Sequence, residues 1–180
     1  MTSADYFKHS ADTDCEDAPF HYKRCGLDNI YLLNGFEAED EDGERFVTVM
    51  DVDGLHKAIG LHIITYRKTL APKEIRFLRK TLNLTQAEMG RLISQSDQQV
   101  ARWEKGENNI SGPADRLLRL MFAGELLRDD PNVPVPMEFL HRLEAIDADD
   151  EEKLEFCNND GDWKERPSQM TDDSEEACMA

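Results

Sequence analysis

Ten polar side chains between positions 85 and 108 are of types that suit the bases and phosphates of double-stranded DNA. Gln pairs with adenine and Arg with guanine through two hydrogen bonds, and each pair discriminates against a wrong base by roughly 1–3 kcal/mol. Lys105 and Asn108 are predicted to contact the DNA backbone, which fixes the register of a protein on the duplex. The ten candidates are Thr85, Gln86, Gln95, Ser96, Asp97, Gln98, Gln99, Arg102, Lys105 and Asn108.

The sharpest of these candidates are Gln98, Gln99 and Arg102, which lie on the outward face of a predicted helix. Asp97 leaves two interpretations open. Its charge favours the N-terminus of a helix, and its carboxylate can also accept a hydrogen bond from a cytosine amino group. A single Gln or Arg would be an ordinary solvated residue, so the prediction depends on the elements that position the set.

The first of these elements is a short helix that begins after Thr85. Thr85 and Glu88 have the spacing of a capping box, in which each side chain accepts a hydrogen bond from the other residue's backbone. Gly90 would allow another helix to approach closely. The predicted apolar face of this helix consists of Ala87, Met89, Leu92 and Ile93.

A second helix is predicted to begin after Ser96, which has the type of an N-cap residue. Val100 and Trp103 face inward at helical spacing, with Trp103 in the core, and Gly106 ends the helix. Two short helices joined by a tight turn, with polar side chains near the start of the second, fit the DNA major groove.

This segment resembles the helix-turn-helix of the Cro/XRE repressor family over roughly residues 70–127. The matching elements are Thr85-Gln86, Gly90 and Trp103-Glu104-Lys105-Gly106. Where the family usually has Gly in the turn, this chain has Ser94. The resemblance implies an all-α, five-helix, lambda-repressor-like domain that binds a palindromic DNA operator as a homodimer. It also implies that Gln86 holds a phosphate through its side chain and backbone N–H.

The distribution of charge along the chain is compatible with this prediction. The net charge is −17, but residues 66–128 carry 12 Lys and Arg against 7 Asp and Glu. Residues 1–65 have a net charge of −9 and residues 129–180 one of −13. Because phosphate attraction acts over roughly 8 Å at physiological salt, a basic face works inside an acidic protein.

The N-terminal region has a different texture, with predicted strands at Asn29–Leu33 and Glu44–Met50 and a helix from about Gly54. The motifs CGLDNIYLLNG and DVDGLHKAIG resemble bacterial regulators near the MqsA-type antitoxins of type II toxin–antitoxin operons. MqsA itself resembles a zinc protein with two C-x-x-C pairs, which this chain lacks. We expect no metal site, since the candidate ligands lack tetrahedral-site spacing: His21, Cys25, His56 and His62.

The predicted fold is α+β with five segments. Those segments are an acidic disordered arm (1–18), a small α+β domain (19–68), the helix-turn-helix domain (69–128), a Pro-rich linker with a short amphipathic helix (129–147), and an acidic disordered tail (148–180). The amphipathic helix, Met137–Ile146, either packs on the bundle or forms a dimer contact. Three roles remain open for the tail: it is a solvated extension, it competes with DNA for the basic face, or it wraps around a basic partner.

Two functional hypotheses follow. The first is a cytoplasmic, dimeric transcriptional repressor. The resemblance to MqsA-type antitoxins implies that this repressor is the autoregulating antitoxin of a type II operon. The second is a protein-interaction module whose acidic flanks bind a basic toxin without specific DNA binding. We expect no enzymatic activity and no cofactor, because phosphate-loop, nucleophile-elbow and H-E-x-x-H motifs are missing. We also expect no membrane partner, because no apolar run approaches the roughly 20 residues that span a bilayer.

Overall fold

The computed structural model describes residues 19–41, 44–129 and 153–166. These residues contain five helices, which are α1 (Val52–Tyr66), α2 (Pro72–Thr81), α3 (Gln86–Leu92), α4 (Asp97–Lys105) and α5 (Gly112–Asp129). They also contain six strands, which are β1 (Phe20–His21), β2 (Ile30–Leu32), β3 (Phe36–Glu41), β4 (Glu44–Val49), β5 (Leu154–Asn159) and β6 (Asp162–Arg166). The α+β prediction is confirmed. The region predicted as a five-helix domain, 69–128, holds four of these helices, because α1 lies in the region assigned to the N-terminal domain.

The strands form two sheets. A four-stranded sheet has the order β1-β2-β5-β6, and β3 and β4 form a separate antiparallel hairpin. β2 pairs in parallel with β5, which places Ile30 opposite Leu154 and Leu32 opposite Phe156. The sequence predicted β2 and β4 but not β3, because the acidic run in β3 is atypical of a strand.

The prediction of a disordered tail over 148–180 is wrong for residues 154–166, which form the β5–β6 hairpin. Asp160 and Gly161 both have positive φ, 53° and 95°, as the central residues of a two-residue hairpin turn require. Leu154 and Phe156 are buried, with half-buried Glu155 between them, so β5 alternates as a half-buried strand does. The net acidic charge of the segment concealed this pattern.

Several predictions fall on residues outside the described ones. The acidic arm (1–18), most of the Pro-rich linker together with Met137–Ile146, and the rest of the tail all lie there. These remain predictions from the sequence.

Trp163 anchors the C-terminal hairpin to the N-terminal region. Its indole N–H lies 3.1 Å from the backbone oxygens of both Met50 and Asp51, just before α1. The ring lies so close to Gly35 that a Cβ there would sit 2.6 Å from it. His62 on α1 adds a hydrogen bond to Glu165, with 2.7 Å between Nδ1 and Oε2. The sheet is therefore fixed to one side of α1.

On another side of α1, the fully buried Arg119 of α5 caps the helix. Its guanidinium donates to the carbonyl oxygens of Ile64 at 3.0 Å and Arg67 at 2.7 Å, where the last turn of α1 leaves acceptors unpaired. Asp115 balances the charge at 2.5 Å and also accepts from the backbone N–H of Leu70. A buried charge is tolerated here because it is both paired and hydrogen-bonded.

Helical spacing of apolar residues in the sequence predicts a buried face of Leu117, Leu120, Met121 and Leu127 for α5, and the observed face differs. Leu117 is exposed, and Leu120 and Met121 are half-buried. The observed buried residues are Ala114, Asp115, Leu118, Arg119, Phe122, Ala123 and Leu126. The helix is rotated from the predicted orientation because a charged pair occupies positions that the pattern assigned to solvent.

Helical spacing predicts an inward stripe of Leu55, Ile59 and Ile63 on α1, and all three are buried. Tyr66, suggested as a fourth member, is exposed. The D-V-D-G sequence before α1 predicts a turn and helix cap, and Asp51 Oδ1 accepts from the backbone N–H of Gly54 at 3.0 Å.

Candidate nucleic-acid interface

The capping box at the start of α3 forms as predicted. Thr85 Oγ1 accepts from the backbone N–H of Glu88 at 3.2 Å, and Glu88 Oε2 accepts from the backbone N–H of Thr85 at 2.8 Å. The hydrogen bond from the Thr85 hydroxyl is the largest of the effects that hold the pKa of Glu88 below its usual value. The first turn of α3 therefore has a fixed start.

The turn between α3 and α4 depends on two small residues. Ser94 has φ 56°, so it occupies the left-handed region in which Gly is the usual residue. A Cβ on Gly90 would lie only 2.7 Å from the carbonyl oxygen of Gln95 and 3.2 Å from the carbonyl carbon of Ser96. The close approach predicted at Gly90 is therefore real, but it admits the backbone of the turn.

α4 begins and ends at the predicted signals. Ser96 Oγ accepts from the backbone N–H of Gln99 at 3.1 Å, and Gly106 ends the helix with φ 74°. Val100 and Trp103 are buried, which confirms the core position predicted for Trp103. With this face anchored, the opposite face of α4 is held toward solvent.

Glu104 joins α2, α3 and α4 through a buried network that the sequence did not reveal. Its carboxylate, 1% exposed, accepts from Arg79 Nε at 2.5 Å and from Gln86 Nε2 at 2.9 Å. Arg76 Nε lies 3.4 Å from the same group. The apolar spacing of α2 predicts that Arg79 faces solvent, and that prediction is wrong because its side chain is 11% exposed.

The charge state of Glu104 follows from these contacts. Burial alone would raise its pKa, but hydrogen bonds from Arg79 and Gln86 and the charges of Arg79 and Arg76 outweigh burial. The pKa of Glu104 therefore lies below its usual value, and the carboxylate is ionised at neutral pH. The ionised group therefore connects α4 to α2 through Arg79 and to α3 through Gln86.

The family model described as helix-turn-helix matches residues 75–114, from within α2 to the beginning of α5. This segment is a helix-turn-helix. The match supports a DNA-binding transcription regulator, as the sequence predicted. Comparison with the curated proteins and with the solved structures gave no match.

The ten predicted DNA-contacting residues lie at the start of α3, in the turn before α4, along α4 and in the loop after it. Gln86 and Gln99 are half-buried. The exposed members are Thr85, Gln95, Ser96, Asp97, Gln98, Arg102, Lys105 and Asn108. Gln86 is held through its side-chain amide by Glu104, and Asp97 Oδ1 accepts from the backbone N–H of Gln98 at 2.8 Å.

The end of α4 carries a carboxylate among the predicted DNA-contacting cations. Glu107 Oε2 lies 4.0 Å from Arg102 Nε, and Glu107 Oε1 lies 3.9 Å from Lys105 Nζ. The side chains of Glu107, Arg102 and Lys105 are 53%, 54% and 64% exposed. The sequence contained Glu107 one residue after the Gly106 stop signal, but spacing alone did not indicate its partners.

The histidines and the cysteine considered as metal ligands have other contacts. His56 Nε2 lies 3.1 Å from the Tyr22 hydroxyl, and burial lowers the pKa of His56. His21 stacks on Tyr31, and the thiol of Cys25 lies 3.4 Å from the Tyr22 carbonyl oxygen. In the described part of the chain, no three His, Cys, Asp or Glu side chains group as a metal site would require. None of its helices is long and apolar enough to cross a membrane.

Proposed function

We propose that this protein is a dimeric transcriptional repressor that places α4 in the major groove of a palindromic operator. The observation that carries the proposal is the exposed polar face of α4, whose opposite face is buried through Val100 and Trp103. The match of residues 75–114 to the helix-turn-helix model supports DNA as the ligand. A buried inner face and a fixed start orient polar side chains for base recognition.

In this proposal the side chains divide by role. Gln98, Gln99 and Arg102 read base edges, because they lie along the outward face of α4. The other proposed contacts hold the DNA backbone or position the front of α4: Thr85, Gln86, Gln95, Ser96, Asp97, Lys105 and Asn108. The half-buried amide of Gln86 suits a phosphate contact because Glu104 already holds it in one orientation.

Dimerisation follows from the short reach of one reading helix. A helix the length of α4, Asp97–Lys105, contacts only a few base pairs, which is too little to select an operator. Two copies related by a two-fold axis would read half-sites about 34 Å apart, one turn of the double helix. The operator is therefore proposed to be palindromic.

The test is a fluorescence-anisotropy titration of labelled DNA from upstream of the protein's own gene, against scrambled DNA at two salt concentrations. Gln99→Ala combined with Arg102→Ala should remove most of the selectivity, since about 1–3 kcal/mol is expected at each base pair read. The matched control is Arg128→Ala, which removes an exposed cation from α5. Unchanged affinity in the double variant, or binding without steep salt dependence, would contradict the proposal.

A second candidate function is the binding of a basic protein, which under the MqsA resemblance would be a toxin. The β3–β4 hairpin favours it: Phe46 and Met50, 53% and 49% exposed, accompany the exposed Glu37 and Glu39. Apolar residues flanked by carboxylates fit a partner with an apolar patch surrounded by cations. A stoichiometric basic partner that co-purifies with wild type and is lost in Phe46→Ser would support it. The two functions are compatible, because different elements carry them.

A further inference from the structure

We propose that Glu107 is a specificity determinant of the DNA-reading face. Its carboxylate competes with DNA phosphates for Arg102 and Lys105, and so weakens binding to unrelated DNA more than binding to the operator. The inference rests on the proposed function, since it assigns these two cations to DNA.

Backbone hydrogen bonds fix the position of Glu107 at the end of α4. The N–H of Glu107 donates to the carbonyl of Arg102 at 2.9 Å, and the N–H of Gly106 donates to the carbonyl of Trp103 at 3.0 Å. These two bonds form a Schellman motif, which the positive φ of Gly106, 74°, makes accessible. The chain therefore turns back over the last turn of α4 and places the carboxylate beside its cations.

Helix stability does not account for an acidic side chain at this position. The C-terminus of a helix carries partial negative charge, so the macrodipole disfavours a carboxylate there. The other carboxylates of the matched segment have structural contacts. Glu88 closes the capping box, Glu104 joins three helices, and Asp97 accepts from a backbone N–H. The ion-pair partners of Glu107 in the described chain are Arg102 and Lys105, both proposed to contact DNA.

The competition is reversible because all three side chains are half or more exposed. Water and salt screen the pairs, so each contributes little to stability and either cation can leave Glu107 for another acceptor. On unrelated DNA, Arg102 and Lys105 can donate only to phosphates. Glu107 repels these phosphates and competes with them for the two cations. Glu107 therefore weakens DNA binding most when all of the contacts are to phosphates.

On the operator the balance differs. Arg102 is proposed to donate to O6 and N7 of a guanine, which are uncharged acceptors that a carboxylate does not repel as it repels a phosphate. Base contacts by Gln98 and Gln99 involve no competition with Glu107. The carboxylate therefore weakens the operator complex less than the unrelated complex, and the ratio of the two affinities rises.

The experiment compares wild type, Glu107→Gln and Glu125→Gln on operator and scrambled DNA, by anisotropy at 50 and 200 mM salt. Glu125→Gln is the matched control, because it also removes one exposed carboxylate but on α5, where the carboxylate pairs with Arg128. Thermal unfolding of each variant checks that the fold is retained. We expect Glu107→Gln to bind scrambled DNA roughly two- to fivefold more tightly, and operator less than about twofold more tightly.

Each outcome bears on the inference. A fall in the operator-to-scrambled ratio in Glu107→Gln but not in Glu125→Gln supports it. An unchanged ratio in a variant that binds the operator selectively overturns the inference and leaves the proposed function intact. Equal effects of both variants also overturn it, because they indicate net charge alone. If wild type shows no selective DNA binding, the proposed function fails and the inference fails with it.

Discussion

The buried carboxylate of Glu104 offers the most demanding test of how this helix-turn-helix is held together. Glu104→Gln preserves the shape of the side chain but removes its charge and replaces one acceptor oxygen by a donor. Arg79, whose side chain is 11% exposed, then faces an uncharged group, and the amide of Gln86 loses its ionised acceptor. The change therefore leaves a nearly buried guanidinium without its counter-charge.

The magnitude follows from the geometry. Removing one partner of a buried ion pair costs about 3–5 kcal/mol, because the remaining charge stays desolvated. Arg76 is 48% exposed, so water supports part of the network and the lower end of that range applies. We expect a loss of about 3 kcal/mol, which is a large fraction of the ~5–15 kcal/mol that stabilises a typical domain.

The assay is urea unfolding followed by circular dichroism at pH 7 and at several lower values. In wild type the pKa of Glu104 is below its ordinary value of 4.5, so its contribution is present above that pH. The contribution is lost as the pH falls through the folded-state pKa. Glu104→Gln lacks this ionisation, and the free-energy difference between the two proteins should narrow in acid.

Glu88→Gln is the control, since it alters an exposed carboxylate in the same unit and should cost no more than about 1 kcal/mol. The reasoning would be refuted by a cost of less than about 1 kcal/mol for Glu104→Gln at pH 7, below the range for a broken buried pair. A free-energy difference that stays constant into acid would refute the assignment of the ionised state.

Four further predictions concern single positions. Gly90→Ala places a Cβ 2.7 Å from the Gln95 carbonyl oxygen. It should lower the free energy of unfolding, measured by calorimetry, by about 1–3 kcal/mol. Arg119→Met should lower the free energy of unfolding in urea by about 3–5 kcal/mol, because it leaves the Asp115 carboxylate without its counter-charge. An unchanged free energy of unfolding would contradict the capping role. Phe156→Ala should cost about 3–5 kcal/mol and lower near-ultraviolet dichroism, whereas an unaffected protein would show that β5 is dispensable. Because burial lowers the pKa of His56, stability should fall as the pH drops below 6.5 toward the folded-state pKa. That component should be missing from a pH titration of His56→Asn.

The helix-turn-helix could be predicted because its signals are local. Thr85 and Glu88 are three residues apart, and each cap or stop signal, such as Ser96 and Gly106, acts on a backbone a few residues away. Such contacts are set by sequence spacing before any tertiary structure forms. The positions of the predicted DNA-contacting residues followed from the same spacing, while their roles on DNA remain proposals.

The buried charges could not be predicted, because their partners are distant in sequence. Glu104 lies 25 residues from Arg79, and Arg119 lies 52 residues from the Arg67 carbonyl oxygen. A periodicity argument assigns every charged residue to solvent, and it placed Arg79 there although that side chain is 11% exposed. The same argument also misplaced two apolar residues. Leu117 was predicted inward and is exposed, and Leu92 at the end of α3 is likewise exposed.

β5 was missed for a different physical reason. Besides β6, its partner is the parallel strand β2, in which Ile30 pairs with Leu154 from 124 residues later in the chain. Parallel pairing leaves no turn signal between the two strands, and the acidic composition argued for disorder. The D-G turn after β5 was the local signal that could have indicated a hairpin.

The parallel pairing of β2 with β5 also sets an order of events during synthesis. A ribosome that has released Asp129 has made the whole helix-turn-helix, while β2 still lacks the strand that will lie beside it. At about 5–20 residues per second, translation needs roughly one to five seconds more to reach Phe156. Throughout that interval the edge of β2 that carries Ile30 and Leu32 is open to other nascent chains. Crowded polysomes and slow codons in this stretch should therefore favour aggregation of a chain whose helix-turn-helix has already been synthesised.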